Sequence, residues 1–145
     1  MAMMVSIVLD TNAVMDWLVF RDPALQAIAR AIESGSVTWL ISAELRGELA
    51  HVLGRGVASA WQPDAAAIFD TIDRRAARVA QPAAGAAGGL RCSDADDQKF
   101  IDLALAHGAS WLVSRDRAVL KLAKKAAPLG LAIVTPERWK LPAAT

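Results

Sequence analysis

Val5-Ser6-Ile7-Val8-Leu9-Asp10-Thr11-Asn12 decides how this chain folds. Residues 4–9 run unbroken as apolar and β-branched, the pattern of a strand buried on both faces. Asp10 closes the run. Thr11 and Asn12 carry groups able to cap a helix, and apolar positions recur through 13–20. A strand buried on both faces needs helices above and below it. The stretch therefore predicts a parallel sheet in an α/β fold.

Outward from this stretch, the elements alternate. Pro23 can be the first residue of a helix that Gly35 stops. Val37–Ile41 is a short strand, and Ser42 caps a helix over 43–53. Pro63 or Asp64 opens a helix to about Ala77, with Ile68, Phe69 and Ile72 on one side. Arg78–Ala80 reads as a short strand. Residues 81–90 (QPAAGAAGGL) read as a loop, with mobility expected of its glycines. Ser93 caps a helix over 94–107 that Gly108 ends; Ser110–Ser114 is a strand, 116–125 a helix, and Leu131–Val134 the last strand before a helical turn at Pro136. Strands separated by helices imply βαβ units and a parallel sheet of about five strands covered on both sides. One domain spanning 1–145 is expected, since 145 residues suffice for one core.

Composition narrows the classes. The chain is 54% hydrophobic and 21% charged with net charge +1, so no global basic field announces nucleic acid, although a local patch is compatible with it. A single cysteine, Cys92, excludes an intramolecular disulfide framework or a cysteine metal cluster and fits a reducing cytoplasm. The start lacks a basic region and its apolar stretch breaks at Asp10, unlike a signal peptide. No run of about 18 apolar residues is present, so no membrane association is expected.

Four carboxylates, far apart in sequence, stand where a strand ends or in a helical pattern: Asp10, Glu48, Asp97 and Asp116. In an open α/β sheet, the loops leaving the carboxyl ends of the strands converge on one crevice. Four acids in one crevice repel unless a cation lies among them, and oxygen ligands favour a hard ion, Mg²⁺ or Mn²⁺. At about 100° per residue, Asp97 projects near the middle of the face made by Phe100, Ile101, Leu103, Ala104 and Leu105, whereas Asp102 points to solvent. An unpaired carboxylate among core residues is costly, so Asp97 needs a cation or strong hydrogen bonds. Asp94 and Asp96 read as first-turn acids favoured by the helix dipole, with Asp96 able to reach the site's edge. On the 43–53 helix, Glu48 borders the stripe Leu45, Leu49, Val52 and Leu53, while Glu44 reads as a solvated or capping residue. Asp10 and Asp116 also suit helix caps.

Other chemistries lack their signatures. The chain has no phosphate loop of the G-x-x-x-x-G-K-[ST] type, no G-x-G-x-x-G after the first strand and no G-x-S-x-G elbow. His51 and His107 sit on separate helices as surface or helix-end residues, and Cys92 has no base beside it. Trp17 and Trp61 are the tryptophans best suited to a partner surface, the others having core neighbours.

Taken together, Val8-Leu9-Asp10-Thr11-Asn12, Ser42 with Glu48-Leu49 and Val52-Leu53, Asp94-Ala95-Asp96-Asp97-Gln98-Lys99-Phe100, Val113-Ser114-Arg115-Asp116-Arg117 and Val134-Thr135-Pro136-Glu137 resemble the motifs of the PIN-domain ribonucleases. Order and spacing agree over about 4–139. The closest resemblance is to the bacterial branch described as toxin components of toxin–antitoxin systems. It implies a three-layer α/β/α sandwich and a Mg²⁺- or Mn²⁺-dependent endonuclease of single-stranded RNA, held inactive by a small antitoxin protein. Asp10, Glu48, Asp97 and Asp116 match the family's metal-binding acidic quartet; Asn12 and Ser114 match its polar helpers, Ser114 standing where threonine is common. Asp94 and Asp96 add acids beside the third position and leave the ligand within 94–97 open. Asp10, Asp97 and Glu48 would hold an ion directly or through water, with Asp116 completing a second position. Lys99, Arg115 and Arg117 are candidate phosphate contacts, Arg117 reading better as solvated helix charge. Phe69 and Ile72 are the expected antitoxin-docking positions, and a homodimer is allowed. The alternatives are a housekeeping RNA-processing nuclease, a catalytically silent RNA- or protein-binding domain, and, from the acids alone, a small-molecule phosphatase.

Overall fold

The computed structural model describes residues 5–56, 58–85 and 89–141. Within them the chain runs β1 (Ser6–Leu9), α1 (Thr11–Leu18), α2 (Gln26–Glu33), β2 (Thr38–Ile41), α3 (Ala43–Gly54), α4 (Ala65–Arg75), β3 (Ala76–Arg78), α5 (Gln98–Ala106), β4 (Trp111–Val113), α6 (Arg117–Leu120), α7 (Ala123–Ala126) and β5 (Ala132–Val134). The five strands form one parallel sheet in the order β3-β2-β1-β4-β5. This is the expected α/β sandwich. Its centre is β1, where Ile7, Val8 and Leu9 are buried; β1 is paired on one side with β2 and on the other with β4.

Parallel strands require crossovers, and the helices that make them bury apolar stripes on the sheet. Ile28, Ala31 and Ile32 from α2, Leu45 and Leu49 from α3, Ile68 and Ile72 from α4, and Phe100, Ile101, Leu103 and Ala104 from α5 join the strand residues in one core. Val52 and Leu53, expected in the buried stripe of α3, are only half-buried.

Several boundaries differ from expectation. The third strand lies at 76–78 rather than 78–80, because Ala76, Ala77 and Arg78 pair with Trp39, Leu40 and Ile41 and end α4 early. The helix expected from Pro23 opens with a 3₁₀ turn, Pro23–Leu25, capped by Asp22. The segment 116–125 is broken into α6 and α7 rather than one helix. Residues 81–85 and 89–92 form no helix or strand, as a loop requires; 86–88, within the same expectation, lie outside the described residues.

The 94–107 helix is corrected twice. Asp94, not Ser93, is its cap: the Asp94 carboxylate accepts from the Asp96 N–H at 2.9 Å and winds Ala95–Asp97 into a 3₁₀ turn, so α-helical geometry begins only at Gln98. Asp102 is buried, not solvated. It accepts from Gln98 Nε2 at 3.0 Å and from the Gly85 N–H at 3.4 Å, because Gly85, Leu90 and Cys92 of the loop segments 81–85 and 89–92 lie over the start of α5.

Candidate metal centre

Parallel strands place all their carboxyl ends on one edge of the sheet, and the acids gather there. Asp10 follows β1 and caps α1, accepting from the Ala13 N–H at 2.8 Å. Ser114 follows β4 and is fully buried; its hydroxyl oxygen accepts from the Asp116 N–H at 3.0 Å. Asp116 caps α6 through the Ala118 N–H at 2.8 Å. Both acids are therefore caps and pocket residues at once. Glu48 reaches the same pocket from α3, and Asp94, Asp96 and Asp97 reach it from the turn before α5. Thr11, the exposed Asn12, Val52 and Phe100 complete a cleft of about 240 Å³.

Of the six residues expected at the site, Asp10, Asn12, Glu48, Asp97 and Asp116 line the cleft, and Ser114 lies beneath it, bonded to Asp116. The tightest grouping differs from the expected quartet. Carboxylate oxygens of Asp94, Asp97 and Asp116 lie within 4.8 Å of one another. Glu48 is engaged elsewhere, accepting from the Thr11 hydroxyl and from Lys99 Nζ. Neither partner of Glu48 was foreseen. The placement of Lys99 one residue before the buried Phe100 was the available signal.

Electrostatics mark the same residues. Burial pushes Asp10 up to about 6, against the Ser114 hydroxyl and the Ala13 N–H, which stabilise its anion. Asp97 also rises to about 6, first through burial and then through Asp116, Asp94, Asp10 and Glu48. Its Oδ2 is buried without a hydrogen-bond donor among the described residues. A buried carboxylate oxygen facing other carboxylates calls for a cation. The donor set is all oxygen, so the residues fit a hard divalent ion.

The sequence model of a family described as PIN domain matches residues 6–118. The chain belongs to the PIN-domain family. PIN domains are generally nucleases that use divalent metals, and the acidic cluster of this member could bind one. No curated protein matches the chain.

Other expectations fare differently. Arg115 is not a free rim cation: it is clasped by Asp16 at 2.7 Å, Asp22 at 3.0 Å and Glu137. Glu137, then Asp22 and Asp16, raise its pKa further, while Arg115 holds Glu137 low. Ile72 belongs to the core, and Phe69 is half-buried under the Arg46 guanidinium, so neither is an open docking position. Trp17 is half-buried against Trp39, whereas Trp61 is 61% exposed. His51 is exposed; His107 ends α5 and is bonded through Nε2 to the Ala80 carbonyl at 2.8 Å. No helix among the described residues is long and apolar enough to cross a membrane.

Proposed function

We propose that this PIN domain is a divalent-metal-dependent endoribonuclease that hydrolyses phosphodiester bonds of single-stranded RNA, and that it is the toxin of a toxin–antitoxin pair. The observation that carries the reading is Asp97 Oδ2, buried in a cleft of acids and without a donor among the described residues. Asp97, Asp116 and Asp94 would hold Mg²⁺ or Mn²⁺ directly, with Asp10 and Glu48 contributing behind them. Such an ion supplies Lewis acidity toward the phosphoryl group and makes water a better nucleophile.

The chain's own residues orient the acids. Buried Ser114 accepts from the Asp116 N–H beneath the cleft, and its hydroxyl favours the anion of Asp10 on the neighbouring strand. Thr11 and Lys99 hold Glu48 from both oxygens. Asn12, exposed on the rim, is placed to donate to a phosphate or ribose oxygen. The toxin assignment rests on resemblance. A small antitoxin could silence the cleft by placing an Arg or Lys among the acids.

The test is direct. Purified protein is incubated with single-stranded RNA, duplex RNA and single-stranded DNA in Mg²⁺, Mn²⁺ or EDTA. Cleavage of single-stranded RNA with either metal and none in EDTA is expected. Equal cleavage in EDTA, or none under any condition, would remove the reading. For the toxin role, expression alone should arrest growth, and Asp97→Asn should relieve the arrest at equal protein level.

A further inference from the structure

A cleft lined by Asp10, Glu48, Asp94, Asp96, Asp97 and Asp116 repels a polyanion, so a nucleic-acid substrate needs cations beside it. Two nearby cations are already engaged: Lys99 by Glu48 and Arg115 by Asp16, Asp22 and Glu137. Beyond Asp116, which lies in the cleft at the start of α6, come Arg117, Lys121, Lys124 and Lys125. All four are exposed, and none forms an ion pair among the described residues.

Their spacing places them on one side. At about 100° per residue, Arg117, Lys121, Lys124 and Lys125 fall within about 100° of arc. Val119, Leu122 and Ala126, all buried, fall on the opposite side. Although the segment is broken between α6 and α7, the Lys121 N–H donates to the Arg117 carbonyl and the Ala126 N–H to the Leu122 carbonyl, so the helical sense persists. At about 1.5 Å per residue, the cations extend roughly 12 Å along the surface from the Asp116 end.

A solvated face alone does not account for this pattern. Like charges at i,i+4, here Arg117 with Lys121 and Lys121 with Lys125, destabilise a helix, and no acid lies between Arg117 and Lys125 to relieve them.

We propose that this face of α6 and α7 is a track for the phosphate backbone of single-stranded RNA, leading the strand into the acidic cleft. The proposal rests on the nuclease reading for its substrate. It goes beyond that reading in assigning the residues that bind the strand away from the scissile bond. Because the track contacts phosphates, it contributes affinity and salt dependence but no base preference.

The experiment compares the parent with Lys121→Ala/Lys124→Ala/Lys125→Ala. The probe is a fluorescein-labelled single-stranded RNA of mixed sequence, held in EDTA, and its polarisation is followed over roughly 50 to 200 mM salt. Alanine is the best helix former, so the fold should persist, which thermal melting checks. Three lost phosphate contacts should reduce the magnitude of the slope of log K against log salt by about 2, at about 0.7 per contact. Affinity at the lowest salt should fall at least about tenfold, the ordinary consequence of losing several such contacts. If the triple variant melts, Lys124→Ala alone should lower the slope by about 0.7. An unchanged slope overturns the track, as does a parent that binds anionic phosphatidylserine vesicles but not RNA.

Cleavage in Mn²⁺ separates the two readings. A raised KM with unchanged kcat in the triple variant supports the track. A parent that binds RNA with the expected slope yet cuts nothing removes the nuclease reading and supports the track. A variant that cuts like the parent, with the parent's slope, removes the track and keeps the nuclease.

Discussion

Asp97 carries a carboxylate oxygen that no donor among the described residues satisfies, in a cleft where four other acids raise its pKa. Asp10, more deeply buried, is raised to the same region near 6. Both values exceed the ordinary 3.8, so the folded, metal-free protein binds these protons more tightly than the unfolded chain. The stability they contribute is complete below about 4 and is lost as pH rises through about 6. In EDTA the melting temperature should therefore be higher at pH 5 than at pH 7, and saturating Mn²⁺ should abolish or reverse that difference; equal values in EDTA would contradict the charge placement. Asp97→Asn should raise metal-free stability at pH 7 by about 1 kcal/mol, read as a few degrees in Tm. The same variant should weaken Mn²⁺ binding at least tenfold by calorimetry (about 1.4 kcal/mol) and abolish cleavage. Asp10→Asn should also abolish cleavage, but it keeps an acceptor for the Ala13 N–H, so Asp10→Ala should be less stable than Asp10→Asn by about 1 kcal/mol. The acids were legible from sequence because each closes a strand or interrupts an apolar face. That Glu48 is held by Thr11 and Lys99 was not, because those contacts join residues 37 and 51 positions apart.

Helix α5 shows what periodicity misses. The turn that leads into it, Ala95–Asp97, is wound by Asp94 into a 3₁₀ conformation, which shifts the angular positions that a uniform helix would assign. Asp102, placed on the outside by that rule, is buried because a loop remote in helical phase covers it. Gln98 organises this cover: its Nε2 donates to the Leu90 carbonyl at 2.7 Å and to Asp102, and its Oε1 accepts from the Cys92 N–H at 2.6 Å. Gln98→Ala would leave three buried or half-buried groups without that partner and should destabilise the protein by about 2–3 kcal/mol in urea titration. A change under about 0.5 kcal/mol would mean that water replaces the amide without cost. Similar long-range logic moved β3: Ala76 and Ala77 are weak strand formers on their own, and pairing with Trp39 and Leu40 places them in the sheet. By contrast, β1, β2, β4 and β5 were readable within a residue or two, since their apolar runs are bounded by Asp10, Ser42, Ser114 and Thr135.

At the scale of the molecule, the order of elements alone was enough to predict a parallel sheet with Asp10 and Asp116, which follow β1 and β4, on one edge, because parallel strands cannot put their carboxyl ends anywhere else. Charge pairing was not readable in this way. Arg115 joins Asp16 in α1, Asp22 before α2 and Glu137 after β5, tying the start of the chain to its end. Arg115→Ala should destabilise the protein by about 1 kcal/mol at low salt and by less at high salt, since the cluster is partly exposed; a loss independent of salt would mean that packing dominates. The strand order has a mechanical consequence as well. The amino end of β1 and the carboxyl end of β5 lie at opposite ends of the strand axis, with β4 bonded to both. A tension applied between Val5 and Val134 therefore pulls along the strands and loads two ladders of hydrogen bonds in shear, which must yield together rather than unzip one rung at a time.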